Sequence, residues 1–537
     1  MQNPFLEPSP LPYQLPPFAD IRDEHYRPAF DAGFAQQLDE IAAITAQPDT
    51  PTFDDTIAPL EASGGILSRV GHVFFALSSA DTTPFLDELE AEIAPRWAAH
   101  SDAIELDPAL YARVSHLHEH PDPAWTPEQA WVVEQWHLRM TLAGAGLDAA
   151  STTRLKELNQ RLATLTTTFD QQLQADTNDL AIVVDAAEEL DGLSAVDIAS
   201  AAQAAADRGL EGKHLITLPL FSGHPWLAQL TNRALRQRIM EASLARGTRG
   251  NAHDNRAVIL EIVALRAERA ALLGFPTHAH VVTADATAKT PEAVDAMLSR
   301  LAPAAARNAA AEAADLQALV DEAGEDYELA SWDWAFWTER LRTARYDVDT
   351  QALKPYFPAE RVLQDGVFAA ATQIYGVTFA ERDDLQGYHP DVRVFEVHDA
   401  DGSEVGLYLL DLFTRDSKRG GAWMNPLISQ NRLLDHPTVV MNNLNVPKPP
   451  PGSPALLTFD ETNTLFHEFG HALHGLFAIV GYPSVAGTNV PRDFVEFPSQ
   501  VNEMWMLWPE ILANYAVHHL TGERMPQELV DRLQDRK

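Results

Sequence analysis

No cysteine occurs in the 537 residues. Disulfides, thiolate nucleophiles and cysteine-based zinc sites are thereby excluded, and any metal must be held by histidine and carboxylate. Basic residues are scarce as well: 39 Lys and Arg stand against 77 Asp and Glu, a formal charge of −38. A field of that sign repels phosphate backbones and argues against a nucleic-acid partner. It reads first as a solvated acidic surface, and second as a negative cleft attracting cationic peptides or divalent metal. Long apolar runs are also missing, and no window approaches the roughly 18 uninterrupted apolar residues of a membrane span. The start, Met1-Gln2-Asn3-Pro4-Phe5, carries no basic segment leading into an apolar stretch, so it does not read as a signal peptide. The expectation is a soluble, cytoplasmic protein.

What is present points to a large helical chain. Apolar residues make up 46% and charged residues 22%, ordinary for a globular protein, and the length suggests two or more domains. Abundant alanine and few β-branched runs predict that helix dominates. The first 20 or so residues are proline-rich and predict an extended arm laid on the surface. From about 27 to 345 the pattern is helical with few exceptions. Leu155, Leu158, Leu162, Leu165 and Phe169 recur at spacings of three and four, with Ser151 or a following Thr as the predicted N-cap. Between Val377 and Val446 the pattern changes. Alternation in Val392–Val397, a turn at Asp401-Gly402, and the runs Val405–Leu412 and Thr438–Met441 predict a sheet of three or four strands. Prolines at 447–454 form a loop, and helix resumes near Asp460.

The strongest chemical signal is Leu465-Phe466-His467-Glu468-Phe469-Gly470-His471. Leu465, Phe469, Ala472, Leu473 and Leu476 fall on one helical face, which predicts a buried amphipathic helix. His467 and His471 lie one turn apart, so their imidazoles can converge on one metal ion. Glu468 follows the first imidazole and is placed to take a proton from water rather than to bind metal. The alternative is a plain helix with two surface histidines, but two uncompensated imidazoles in an apolar helix are unfavourable to bury. A catalytic zinc needs a third protein ligand. His474 lies seven residues from His467, about 10.5 Å along the axis, too far to share the ion. Glu496, in Phe494-Val495-Glu496-Phe497, stands between apolar residues that are expected to bury it, and a buried carboxylate calls for a cation. Glu503, seven residues on, either hydrogen-bonds a ligand imidazole or makes an ordinary helix salt bridge.

The His467-Glu-Phe-Gly-His471 motif followed by Gly487-Thr-Asn-Val-Pro-Arg-Asp-Phe-Val-Glu496-Phe-Pro-Ser-Gln500 resembles the thimet oligopeptidase family of zinc peptidases. Trp332-Asp333-Trp334-Ala335-Phe336 and Asp416-Ser-Lys-Arg-Gly-Gly-Ala-Trp-Met424 carry the same resemblance, which covers essentially the whole chain. It implies a mainly α, zincin-like fold: a helical ellipsoid with a deep channel and a small β-sheet near the active site. Residues 1–345 would form one channel wall and 346–537 the catalytic region. It further implies one Zn2+ on His467, His471 and Glu496, with Glu468 as general base. Short unstructured peptides would pair with the strand around Gly421, Ala422 and Trp423, unless that strand is an ordinary interior one. A monomer is expected. The reaction implied is release of C-terminal dipeptides, with internal cleavage of oligopeptides as the alternative. Family members continue past the position of Lys537 with a Tyr- and Gly-rich loop that stabilises the oxyanion, and no such loop occurs here. Each missing donor would be worth roughly 2–4 kcal/mol of transition-state stabilisation. The reading of another class is therefore a catalytically impaired, metal-dependent peptide-binding protein.

Overall fold

The computed structural model describes residues 3–218, 224–346 and 351–535. Helices account for most of it up to Tyr346, including Asp23–Thr45, Gly65–Ala80, Pro84–Glu105, Ala149–Asp179 and Pro291–Glu322. The Ala149–Asp179 helix buries Leu155, Leu158 and Leu165 as the periodicity predicts. Its N-cap is Asp148 rather than Ser151 or a neighbouring Thr. The Asp148 carboxylate accepts from the Ala150 and Ser151 amides at 3.0 Å, and Ser151 falls in the first turn. The helical stretch is interrupted by a short ribbon, β1 (Ile182–Val184) paired antiparallel with β2 (His214–Ile216).

The proline-rich start is less superficial than its composition suggests. Phe5 and Leu15 are buried, Phe5 against Tyr26 and Leu15 under the large sheet. Prolines fix the path of the arm, and these two apolar side chains anchor it. The predicted division at 345/346 falls at the end of the Ser331–Tyr346 helix, and residues 347–350 beyond it lie outside the described set.

The large sheet has five strands rather than three or four: β3 (Thr378–Glu381), β4 (Arg393–His398), β5 (Glu404–Phe413), β6 (Trp423–Ile428) and β7 (Thr438–Val446), in the order β3-β4-β5-β7-β6. The strand missed by pattern, β3, is a four-residue edge strand with mostly exposed side chains, too short to show alternation. Pairing is antiparallel except between β5 and β7. Side chains alternate across the sheet. Leu407, Leu409, Val439 and Met441 face the arm and the Gly65–Ala80 helix, whereas Tyr408, Leu410, Val440 and Leu444 face the helix carrying the histidines. Burial on both faces explains why β5 and β7 read as continuous apolar runs rather than strict alternations. β6 is the outer strand at the edge opposite β3, and Pro426, which has no amide proton to give to a ladder, fits that place.

Candidate metal centre

The histidine-bearing helix runs from Phe459 to Leu476. Its start is fixed by a reciprocal cap: Thr458 Oγ1 accepts from the Glu461 amide at 3.0 Å, and Glu461 Oε2 accepts from the Thr458 amide at 2.7 Å. Leu465, Phe466, Phe469, Ala472, Leu473 and Leu476 are buried in the core beneath the sheet, with the Phe469 ring edge-on to Tyr408 at 5.2 Å. That packing fixes the rotation of the helix about its axis and turns His467 and His471 away from the core.

A second helix, Glu496–Glu503, lies against the first at Gly470. A methyl group at Gly470 would stand 2.7 Å from Ser499 Cα and 2.8 Å from Asn502 Cβ, so only glycine admits this approach. Asn502 Nδ2 donates to Phe466 O at 2.6 Å, and from the sheet Asn442 Nδ2 donates to Glu468 O at 2.8 Å. The backbone on either side of His467 is thus held by two buried amides.

The outcome is a three-donor convergence. His467 Nε2 and His471 Nε2 lie 3.2 and 3.0 Å from the same Glu496 oxygen, and the three donor atoms are all within 4.8 Å of one another. A tetrahedral ion with bonds of about 2.0–2.1 Å sets its ligand atoms about 3.3 Å apart, so this donor set fits a metal. Glu503 Oε1 lies 2.7 Å from His467 Nδ1. That contact places the His467 proton on Nδ1 and leaves Nε2 free to coordinate. His474 stays outside the group.

Electrostatics agree with that chemistry. Burial holds His471 below the ordinary imidazole value, opposed by Glu496. Burial would raise Glu496, but His471 and the Ser499 hydroxyl outweigh it and keep the carboxylate ionised. Glu468 is 4% exposed, and its Oε2 has no hydrogen-bond partner. Burial pushes its carboxyl up to about 7, eased by His467 and reinforced by Glu496. A dication at the three donors would draw that value back down.

Comparison with known proteins agrees with this geometry. Residues 226–537 match Peptidase family M3. The chain is 44% identical over 534 residues to dipeptidyl carboxypeptidase of Escherichia coli (strain K12), covering 99% of this chain and 78% of the relative. It is 34% identical over 543 residues to oligopeptidase A of the same organism, covering 99% and 79%. A thimet-like oligopeptidase of Dictyostelium discoideum matches at 29% over 397 residues, 71% and 57% of the two chains. The chain belongs to peptidase family M3. It is a metallopeptidase, and hydrolysis of peptides is its activity.

In this M3 chain the argument that led to Glu496 needs correction. The side chain is 47% exposed; of its apolar neighbours Val495 is buried, but Phe494 and Phe497 are exposed and stacked on each other at 5.6 Å. The carboxylate is placed by the helix contact at Gly470 and by Ser499, whose hydroxyl donates to it at 3.1 Å, not by burial. Gly421 and Ala422 also sit differently from the reading: they precede β6, and regular strand begins at Trp423. Gly421 has φ +89°, outside strand geometry, and Asn445 Nδ2 donates to both Arg419 O and Gly421 O. Gly470, Asn442, Ser499 and Asn502 escaped the sequence reading. A glycine inside a helix interior, unfavourable by about 1 kcal/mol, was the available signal for the first of them.

A cavity of about 880 Å³ lies away from the metal group, and none of His467, Glu468, His471 or Glu496 lines it. It lies between the Ala149–Asp179 and Ala195–Asp207 helices and the segment entering β6, with Arg419 and Gly420 in its wall.

Proposed function

We propose that the chain is a zinc-dependent peptidyl-dipeptidase, releasing dipeptides from the C-termini of short, unstructured peptides. The observation that carries it is the meeting of His467, His471 and Glu496 with an unpartnered Glu468 one residue from the first imidazole. In this reading His467, His471 and Glu496 hold Zn2+, the ion that suits two imidazoles and a carboxylate with a fourth position open. When bound, zinc supplies Lewis acidity toward water and the scissile carbonyl. Glu503 keeps His467 in the tautomer that can coordinate. Glu468 takes the proton from the attacking water and delivers it to the leaving amine. Its burial, at 4% exposure, limits exchange of that proton with bulk solvent.

Substrate main chain pairs with the outer strand β6 from Trp423 onward, with Gly421 and Ala422 at its entry. Release of dipeptides is favoured over internal cleavage by the 44% identity to dipeptidyl carboxypeptidase, against 34% for oligopeptidase A. The test is a blocked peptide of four or more residues, with products identified by mass. Dipeptide release by wild type and a loss of roughly 10²–10⁴-fold in kcat for Glu468→Gln, with metal content unchanged, is expected. Full activity of Glu468→Gln would remove it as the base, and products cut only internally would move the assignment to an oligopeptidase.

A further inference from the structure

A second cavity, about 280 Å³, lies beneath the N-terminal arm at the far end of β6. Arg69, His72 and His436 line it, with Ser68 beside them, and none of the metal-group residues does. Arg69 stands out electrically. Its guanidinium donates to two main-chain carbonyls, Phe5 O and Leu6 O, both at 2.9 Å. No carboxylate among the described residues comes within ion-pair distance of it. Its other cationic counterparts near the sheet, such as Arg415, Lys418 and Lys448, each have a carboxylate at 2.8 Å or closer.

The surroundings do not supply the missing charge. Glu7 exerts only a distant attraction. Glu61 borders the cavity, but its two oxygens accept from Trp136 Nε1 and the Ser484 amide. Burial keeps both His72 and His436 below the ordinary imidazole value; His436 further lowers His72, and Arg69 further lowers His436. A half-buried cation with spare donors and no counter-charge is unfavourable, and an anion in the adjoining space relieves it. At about 30 Å³ per water, the space holds a small oxyanion together with several waters.

We infer that this cavity is a binding site for a small oxyanion, a phosphate or carboxylate group, with Arg69 as its charge partner and His436 and Ser68 beside it. The site is separate from the metal centre and needs no assumption about the reaction. It is tied to β6, because Leu427 and Ile428 of that strand line the cavity together with His72. An occupied site therefore steadies the arm, the Gly65–Ala80 helix and the end of the outer strand together.

The test is thermal unfolding of the full zinc-loaded chain at fixed ionic strength, with chloride replaced stepwise by inorganic phosphate and, in parallel, by acetate. Wild type is expected to show a saturable rise of roughly 1–3 °C once the anion exceeds its dissociation constant ten- to hundred-fold. Response to both anions assigns any oxyanion; response to phosphate alone assigns the tetrahedral one. Arg69→Met should abolish the rise. Because that variant also loses the two bonds to the arm, His436→Glu is the decisive companion. It keeps those bonds and supplies a carboxylate, so it should start at a higher Tm than wild type and no longer respond. An absent or non-saturating rise in wild type, or an equal rise in all three proteins as general anion exclusion gives, would overturn the inference.

Discussion

Gly470→Ala is the perturbation most tightly specified by the structure. An added methyl would lie 2.7 Å from Ser499 Cα, 2.8 Å from Asn502 Cβ and 3.1 Å from Pro498 O. Carbon atoms pack at about 3.5–4.0 Å, so the two helices must part by about 1 Å. Overpacking of this kind is destabilising by about 1–3 kcal/mol, while alanine in a helix interior returns about 1 kcal/mol. The net effect on folding is therefore small, between zero and about 2 kcal/mol. The effect on the metal group is larger. Glu496 rides on the displaced helix, and its oxygen now lies 3.0 and 3.2 Å from the two imidazoles. A movement of about 1 Å exceeds the tolerance of about 0.2 Å on a metal–ligand bond. Metal affinity should fall by at least ten-fold while the chain stays folded. Competition with a chromophoric chelator gives the affinity, and thermal unfolding with and without chelator gives the stability. Unchanged affinity together with a raised Tm would refute the reasoning, because it would mean that the helices meet without needing the glycine.

The other expectations concern groups around the same fold. Glu503→Gln should weaken metal binding or activity roughly 10- to 100-fold with little change in apo-protein Tm, read by the same competition assay. Asp333 has a fully buried side chain and pairs with Arg233 at 2.7 Å and Arg236 at 2.9 Å. Burial alone would raise its carboxyl, but those two guanidinium groups hold it below the ordinary value. A depressed folded pKa gives stability that is present above the unfolded value of about 3.9 and is lost as pH falls through the folded one. Tm should therefore drop on acidification below about pH 4. Asp333→Ala should be destabilising by about 3–5 kcal/mol at neutral pH, because Arg236 is left buried and unpaired.

Much of the site was legible because its chemistry is local. Two histidines four apart on an apolar-faced helix define a direction as well as a composition, so His467, His471 and Glu468 follow from spacing. Glu496 was reached for a wrong reason: Phe494 and Phe497 looked like a burying frame, and both are exposed. The true determinants, Gly470 and Ser499, act between helices, and no single-helix pattern contains them. The helical character of residues 27–345 was plain from alanine content and periodicity, yet Asp148 took the cap from Ser151 because one carboxylate can accept from two successive amides. In the sheet, β5 and β7 were visible as apolar runs. The short β3 and the crossover that puts β7 between β5 and β6 were not, since pairing order depends on contacts distant in sequence. The placement of Leu15 under the sheet was hidden for the same reason.

Metal stoichiometry in Glu496→Ala tests the account most directly. Wild type purified with zinc and freed of loosely held ion should carry one zinc per chain by elemental analysis. Glu496→Ala, which removes a half-exposed side chain, should remain folded and carry almost none after the same treatment. Equal zinc in both proteins, held with equal affinity, would contradict the claim that a carboxylate from the second helix completes the site.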